Sequence, residues 1–216
     1  MTGLLACFIA QSSYAQDGLA EKITAARKAN ATLMKQYSWN SRSELVDKGK
    51  VADTRIELVS YGPDGGLQRT LINDESSPLP RGFLRRKVAE KEKEKVEKYL
   101  VGLRKLLDQY TLPTAGKVLD FVDAAKIQAP DSNGLLQLSG NSVIIPGDTY
   151  TLSIDAATRQ TRKVAITTTF DGDTVTLTAS FKTLATGLTH LEFGEVEVDA
   201  KQMKLQLHNF NYNQNN

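Results

Sequence analysis

The chain has 216 residues, enough for one domain with a real core or at most two small ones, and neither a repeat nor a long linker argues for dividing it. Its 27 basic and 25 acidic residues leave a net charge of +2, too small to point by itself to nucleic acid or to an anionic membrane surface. A single cysteine excludes a disulfide framework.

Residues Leu4 to Ala10 form a short apolar run, and Ser13 and Ala15 after it stand at the small-residue positions that a signal peptidase reads. The expectation is a signal peptide over residues 1–15, cleaved after Ala15, and hence a periplasmic or secreted protein. The run is too short for a permanent bilayer span. No Lys or Arg precedes it, so a buried N-terminal segment, or a true start further upstream, stays open. Leu4-Leu5-Ala6-Cys7 also has the form of a lipoprotein cleavage box with Cys7 as the lipidated residue, although the apolar run continues through Phe8 and Ile9. If cleavage falls after Ala15, the mature chain has no thiol.

From Asp17 to about Gln36, Leu19, Ile23, Ala26 and Leu33 recur with helical spacing, while Lys22, Arg27, Lys28 and Lys35 fall elsewhere. This narrow, Ala-rich stripe suits packing onto a sheet. An amphipathic membrane helix is the weaker alternative, because the stripe has no aromatic residue. Tyr37 to Arg42 and Thr54 to Tyr61 alternate with period two, and Pro63-Asp64-Gly65-Gly66 turns the chain into a third strand, Leu67 to Ile72. Tyr37 and Trp39 share a face, either as core anchors, the usual use of large aromatics, or as ligand contacts.

After the turn-rich stretch Asn73 to Pro80 the period changes. Phe83 to Tyr110 reads as one long helix, with Val96, Tyr99, Leu100, Leu103, Leu106, Leu107 and Tyr110 on its apolar side and a solvated first half dense in Lys and Glu. Glutamates break up the basic cluster Arg81, Arg85, Arg86 and Lys87, which speaks against a nucleic-acid surface. A shorter helix is expected from Thr114 to Ala125, burying Val118, Leu119, Val122 and Ala125. A hairpin should follow, Leu135 to Leu138 with Val143 to Ile145 around Gly140-Asn141.

Tyr150 to Tyr212 reads as a five-strand β-meander. A two-residue turn at Gly172-Asp173 would set Phe170 against Val175, Thr168 against Leu177, Ile166 against Ala179 and Val164 against Phe181. A turn at Ala200-Lys201 sets Val198 against Met203 and Val196 against Leu205. One face is then apolar; the other carries Thr167, Thr169, Thr176, Thr178, Ser180 and a Glu197/Lys204 pair and is wet. The apolar parity flips between Leu191 and Val196, which one extra residue at Gly194 would explain as a β-bulge.

Chemistry is hard to find in these patterns. His190 and His208 have no ligand spacing, and His208 reads as a surface histidine on the wet face. Gly62 to Gly66 is a hairpin turn and no phosphate loop, and Asp155, Asp171 and Asp173 are turn residues without the ordered oxygen donors that calcium demands. No nucleophile stands beside a base, and no cofactor or metal is implied, so the reading is non-enzymatic.

The order of N-terminal helix, curved antiparallel sheet, mid-chain helices and C-terminal meander resembles the lipoprotein-localisation carrier superfamily (LolA/LolB-like) over residues 17–212. The family's arginine-containing lid motif has no match in this sequence, and the helix from Phe83 to Tyr110 departs from its layout. The closing pattern, Thr174 to Phe181 and then Val198 to Tyr212, is also similar to a family of uncharacterised secreted bacterial proteins. The expected fold is α+β, a half-barrel whose concave face is covered by the N-terminal and mid-chain helices. The superfamily resemblance implies a sheltered lipid acyl chain or other apolar ligand. Its wall would be Val164, Ile166, Phe170, Leu177, Phe181, Val196, Leu205 and Leu207, with Tyr37 and Trp39 opposite. The partners implied are a lipid or acyl chain, an envelope protein, and peripheral contact with a membrane. The alternative is a structural or interaction module whose core is fully packed by its own helices.

Overall fold

The computed structural model describes residues 18–74, 83–111 and 114–215. The expected signal segment with Cys7 lies outside the described residues, as does most of the turn-rich stretch after Asn73. Ten strands form one sheet: β1 (Tyr37–Asp47), β2 (Lys50–Tyr61), β3 (Leu67–Asp74), β4 (Lys126–Gln128), β5 (Leu135–Asn141), β6 (Thr149–Asp155), β7 (Thr161–Phe170), β8 (Asp173–Thr183), β9 (Thr189–Val198) and β10 (Met203–Gln214). Their order across the sheet is β3-β2-β1-β10-β9-β8-β7-β6-β5-β4, antiparallel throughout. The edge strands β3 and β4 do not pair, so the sheet is curved and unclosed, a half-barrel.

That topology dictates where the helices go. The chain leaves β3 at one edge and must reach β4 at the other. On the way it lays α2 (Phe83–Leu107), a 3-10 turn (Asp108–Thr111) and α3 (Ala115–Ala124) over the concave face, where α1 (Leu19–Met34) also packs. Thr114 caps α3, its backbone extended and its Oγ1 accepting from the Lys117 N–H at 3.2 Å, which satisfies one orphan donor of the first turn. The buried stripe of α3 is Val118, Phe121 and Val122, followed by Ala125. Leu119, expected there, is 43% exposed, because the helical period puts Phe121 on the stripe and Leu119 beside it. Directly after α3 the chain enters the three-residue strand β4, too short for any alternation to announce it.

The five strands of the meander are present, β6 to β10. The β9–β10 register is the one expected, with Met203 opposite Val198, Leu205 opposite Val196, and Lys204 bonded to Glu197 at 2.7 Å. The β7–β8 register differs by two residues from the expected one: Phe170 faces Asp173, Ile166 faces Leu177 and Val164 faces Ala179. Asp171 and Gly172, not Gly172 and Asp173, are the central turn residues, with φ of 53° and 83°. A type I′ turn needs positive φ at both positions, which Asp-Gly tolerates in that order. A shift of two preserves parity, so the apolar face survives the error. The bulge also moves: Ser180 faces Phe193 while Phe181 faces Leu191, which makes Glu192 the extra residue, upstream of Gly194.

Residues 143–145, expected as a strand, form a loop instead. Its organiser is the buried Asp148, whose Oδ1 accepts from Val143 N at 2.6 Å and whose Oδ2 accepts from Ile144 N and Ile145 N, each at 2.9 Å. Backbone donors committed to a carboxylate are lost to a β-ladder.

Two separate cores hold the helices to the sheet. In the first, Leu19, Ala20 and Ile23 of α1 and the α3 stripe meet Leu138, Tyr150, Leu152, Ile154 and Ile166 of β5 to β7. In the second, Leu103 of α2, flanked by Tyr99 and Leu100, packs on Val175, Val198 and Met203 at the other end of the meander. Gly102 lets α2 come this close: a Cβ there would stand 2.7 Å from Phe170 Cζ.

Candidate functional site

Beside the first core the concave face is not filled. A cavity of about 500 Å³ remains, floored by β6 to β9 and roofed by α1 and the end of α2, within the size range of small-molecule sites. Leu152, Val164, Ile166, Leu177, Phe181 and Leu191 give it an apolar floor; Ala26, Ala31, Met34 and Leu107 come from the roof. Four residues expected in the wall, Val164, Ile166, Leu177 and Phe181, are brought together here.

The other six stand outside it. Phe170 packs edge-on against Tyr99 with ring centroids 5.0 Å apart, and Val196 packs against the second core. Leu205 and Leu207 are half-buried, Leu205 opposite Leu45 and Leu207 opposite Ser43 of β1. Tyr37 is buried and its hydroxyl bonds Thr186 at 2.8 Å. Trp39 is buried in an aromatic row: Tyr212 stacks on it at 5.5 Å and Tyr61 lies at 6.2 Å, the last of these also lining the cavity. Asn211, with φ of 53°, is the bulged residue that turns Tyr212 onto the Trp39 face. His190, buried, lies 4.0 Å from Tyr212, and burial holds its imidazole below the usual histidine value despite the Leu191 carbonyl at 3.1 Å. His208 lies exposed on the convex face, as expected.

The chain is similar in layout to several solved structures. They include a DUF1329 family protein from Desulfovibrio piger, at 7% identity over 92% of each chain with a TM-score of 0.38. A domain described as an outer membrane lipoprotein-sorting protein from Vibrio parahaemolyticus has 11% identity over 90% of this chain and 93% of its own, with a TM-score of 0.39. A LolA superfamily protein from Nitrosomonas europaea has 10% identity over 91% and 94%, with a TM-score of 0.34. At such values no residue role passes from them to this chain. No family model matches the sequence, and no curated protein matches it.

Polar groups on the cavity wall fix the roof to the floor. Asn30 of α1 donates from Nδ2 to the Thr189 carbonyl and accepts at Oδ1 from the Thr189 N–H, both at 2.7 Å, so its amide pairs with β9 as a strand residue would. Gln160 accepts from the Thr189 hydroxyl at 2.7 Å and donates to the Gly187 carbonyl at 3.1 Å. The Tyr110 hydroxyl donates to Asp148 Oδ2 at 2.7 Å and lies 2.7 Å from the Thr168 hydroxyl, which ties the 3-10 turn to the floor. Burial pushes the Asp148 carboxyl up, but three backbone N–H groups and Tyr110 outweigh it and hold the group below the ordinary carboxylate value. Burial raises the Tyr110 hydroxyl to about 12. At the far hairpins Tyr99 of α2 meets Asp173 at 3.3 Å, and Lys201 bonds Asp173 at 3.0 Å while lying 4.6 Å over the Tyr99 ring.

The sequence pattern set Arg27 off the apolar stripe of α1, yet it lines the cavity and donates from Nη2 to the Thr111 carbonyl. The run Ile23, Arg27, Asn30, Met34 has i, i+3/i+4 spacing and was the available signal; its two polar members hid it. Among the described residues no group of three His, Cys, Asp or Glu is placed to hold a metal, and no helix is long and apolar enough to cross a membrane.

Proposed function

We propose that this chain is a non-enzymatic protein of the bacterial cell envelope, periplasmic or secreted after loss of residues 1–15, that shelters a lipid acyl chain or another apolar ligand in its half-barrel. The observation that carries the reading is the largely apolar cavity of about 500 Å³ left beside the first core, under α1 and the end of α2. Occupying it would remove apolar wall from water at about 25 cal/mol per Å². The test is native mass spectrometry on protein exported with its own leader and purified from the periplasm. The expected result is a co-purifying lipid mass on a polypeptide beginning at Gln16. A clean apo protein that ignores every added acyl ligand overturns the reading.

A second reading, an interaction module meeting another envelope protein, has its own observation. Leu58, Leu67, Leu71 and Ile72 are 41% to 57% exposed at the β2–β3 edge of the sheet. A stable complex or dimer with no ligand in the same spectra would favour it.

A further inference from the structure

We infer that the ligand brings an acceptor oxygen, the carbonyl of an acyl group, inside the cavity, where the Tyr150 hydroxyl donates a hydrogen bond to it. This rests on the cavity reading above and adds one polar contact, which sets how an acyl group lies.

Among the described residues, three polar side chains of the cavity wall are buried: Tyr110, Tyr150 and Thr189. Two are satisfied within the protein. The Tyr110 hydroxyl meets Asp148 and Thr168, and the Thr189 hydroxyl meets Gln160 and Thr183. Tyr150 differs. It is 4% exposed, yet among the described residues its hydroxyl has no hydrogen-bond partner. A hydroxyl shut away from water without a partner is unfavourable, and buried polar groups are as a rule bonded.

Packing does not explain that hydroxyl. The Tyr150 ring stands edge-on to Phe121 with centroids 4.8 Å apart and stacks on Tyr110 at 6.3 Å, contacts that a phenylalanine ring makes equally well. The same two contacts fix the ring, so the donor is held in place before any ligand arrives.

The chemistry selects an acceptor. Burial pushes the Tyr150 hydroxyl up to about 12, so it keeps its proton at neutral pH. Arg27, bonded to the Thr111 carbonyl, acts on this point through its charge, which favours a ligand oxygen over a second donor. A ligand hydroxyl would bring a proton of its own, and the side-chain acceptors Asn30 and Gln160 are already engaged by Thr189. A carbonyl oxygen has lone pairs and no proton, and the alkyl chain attached to it suits the floor of Leu152, Val164, Ile166 and Leu177.

An ester and a free carboxylate share this chemistry, and the experiment separates them. Delipidated protein purified from the periplasm is titrated with methyl decanoate, decanoate and decane, each supplied from cyclodextrin, and binding to wild type and to Tyr150→Phe is read by calorimetry. The ratio of wild type to variant is then independent of the carrier. Tyr150→Phe should weaken at least one of the two oxygen-bearing ligands by about fivefold or more and leave decane unchanged or tighter, and the ligand that loses more identifies the source. The ligand-free variant should melt no lower than wild type, because the hydroxyl has no internal bond to lose. A variant that melts clearly lower shows the hydroxyl engaged within the protein and overturns the inference while the cavity reading stands. An equal effect on all three ligands, no effect on either oxygen-bearing one, or binding of decane alone does the same. No binding of any of the three to wild type overturns the cavity reading and this inference with it.

Discussion

Asp148→Asn should be among the most damaging isosteric changes in this protein, although it alters neither shape nor helix. The carboxylate is almost fully buried and accepts four hydrogen bonds: Val143 at Oδ1, and Ile144, Ile145 and Tyr110 at Oδ2. An amide in the same place has one oxygen. If it keeps the three donors at Oδ2, its NH₂ meets the Val143 N–H at 2.6 Å, donor against donor. Loss of charge assistance costs about 1.5–3 kcal/mol and the stranded donor about 1–3 more, so roughly 3–5 kcal/mol is expected. For a chain of this length that is a fall in Tm of roughly 6–20 °C. Calorimetric melts at pH 7 measure it. The pH dependence supplies a second check. A carboxyl held low in the folded state contributes stability that is present above its unfolded value of about 3.9 and is lost as pH falls through the folded value. Wild-type protein should therefore weaken over that acid range and the Asn variant less so. A variant melting within about 2 °C of wild type at pH 7 would refute the assignment of Asp148 as organiser of the loop and anchor of Tyr110.

Asn30→Asp keeps the acceptor for the Thr189 N–H but turns an oxygen toward the Thr189 carbonyl at 2.7 Å; amide exchange at Thr189 should speed up by at least tenfold as α1 detaches locally. Phe170→Ala should cost about 2–4 kcal/mol in urea unfolding, because the ring fills the groove at Gly102, and should leave acyl binding unchanged. Phe181→Ser, on the cavity floor, should do the reverse and weaken ligand binding with a small change in Tm. His190 is held low by burial, so its contribution is present above the unfolded value near 6.5 and is lost as pH falls below it; the urea midpoint should drop between pH 8 and pH 5, and His190→Gln should flatten that slope.

Local rules carried much of this fold in the sequence alone. Strand alternation from Tyr150 to Tyr212, the helical spacing of Leu103, Leu106 and Leu107, and the turn at Asp64-Gly65-Gly66 each express a preference that a few neighbouring residues settle, and these elements formed where expected, whereas the helix expected to run to Tyr110 ends at Leu107 and Tyr110 falls in the 3-10 turn Asp108–Thr111. Even the two-residue register error at Asp171-Gly172 left the right side chains inside, since strand parity is insensitive to a shift of two. What sequence could not decide involves partners far apart in the chain. Val143 to Ile145 looked like a strand until Asp148 claimed its donors, and β4 is a strand only because β5 lies beside it. Phe170 and Phe181 are the same residue type on the same face; α2 covers one at Gly102 and leaves the other on the floor of the cavity. Arg27 became a cavity residue because α1 bridges the half-barrel instead of filling it. Hydrophobic pattern fixes which face turns inward, but the volume left inside depends on where separately folded helices come to rest. That position is set by contacts such as Asn30 with Thr189 and Tyr110 with Asp148, whose members lie 159 and 38 residues apart.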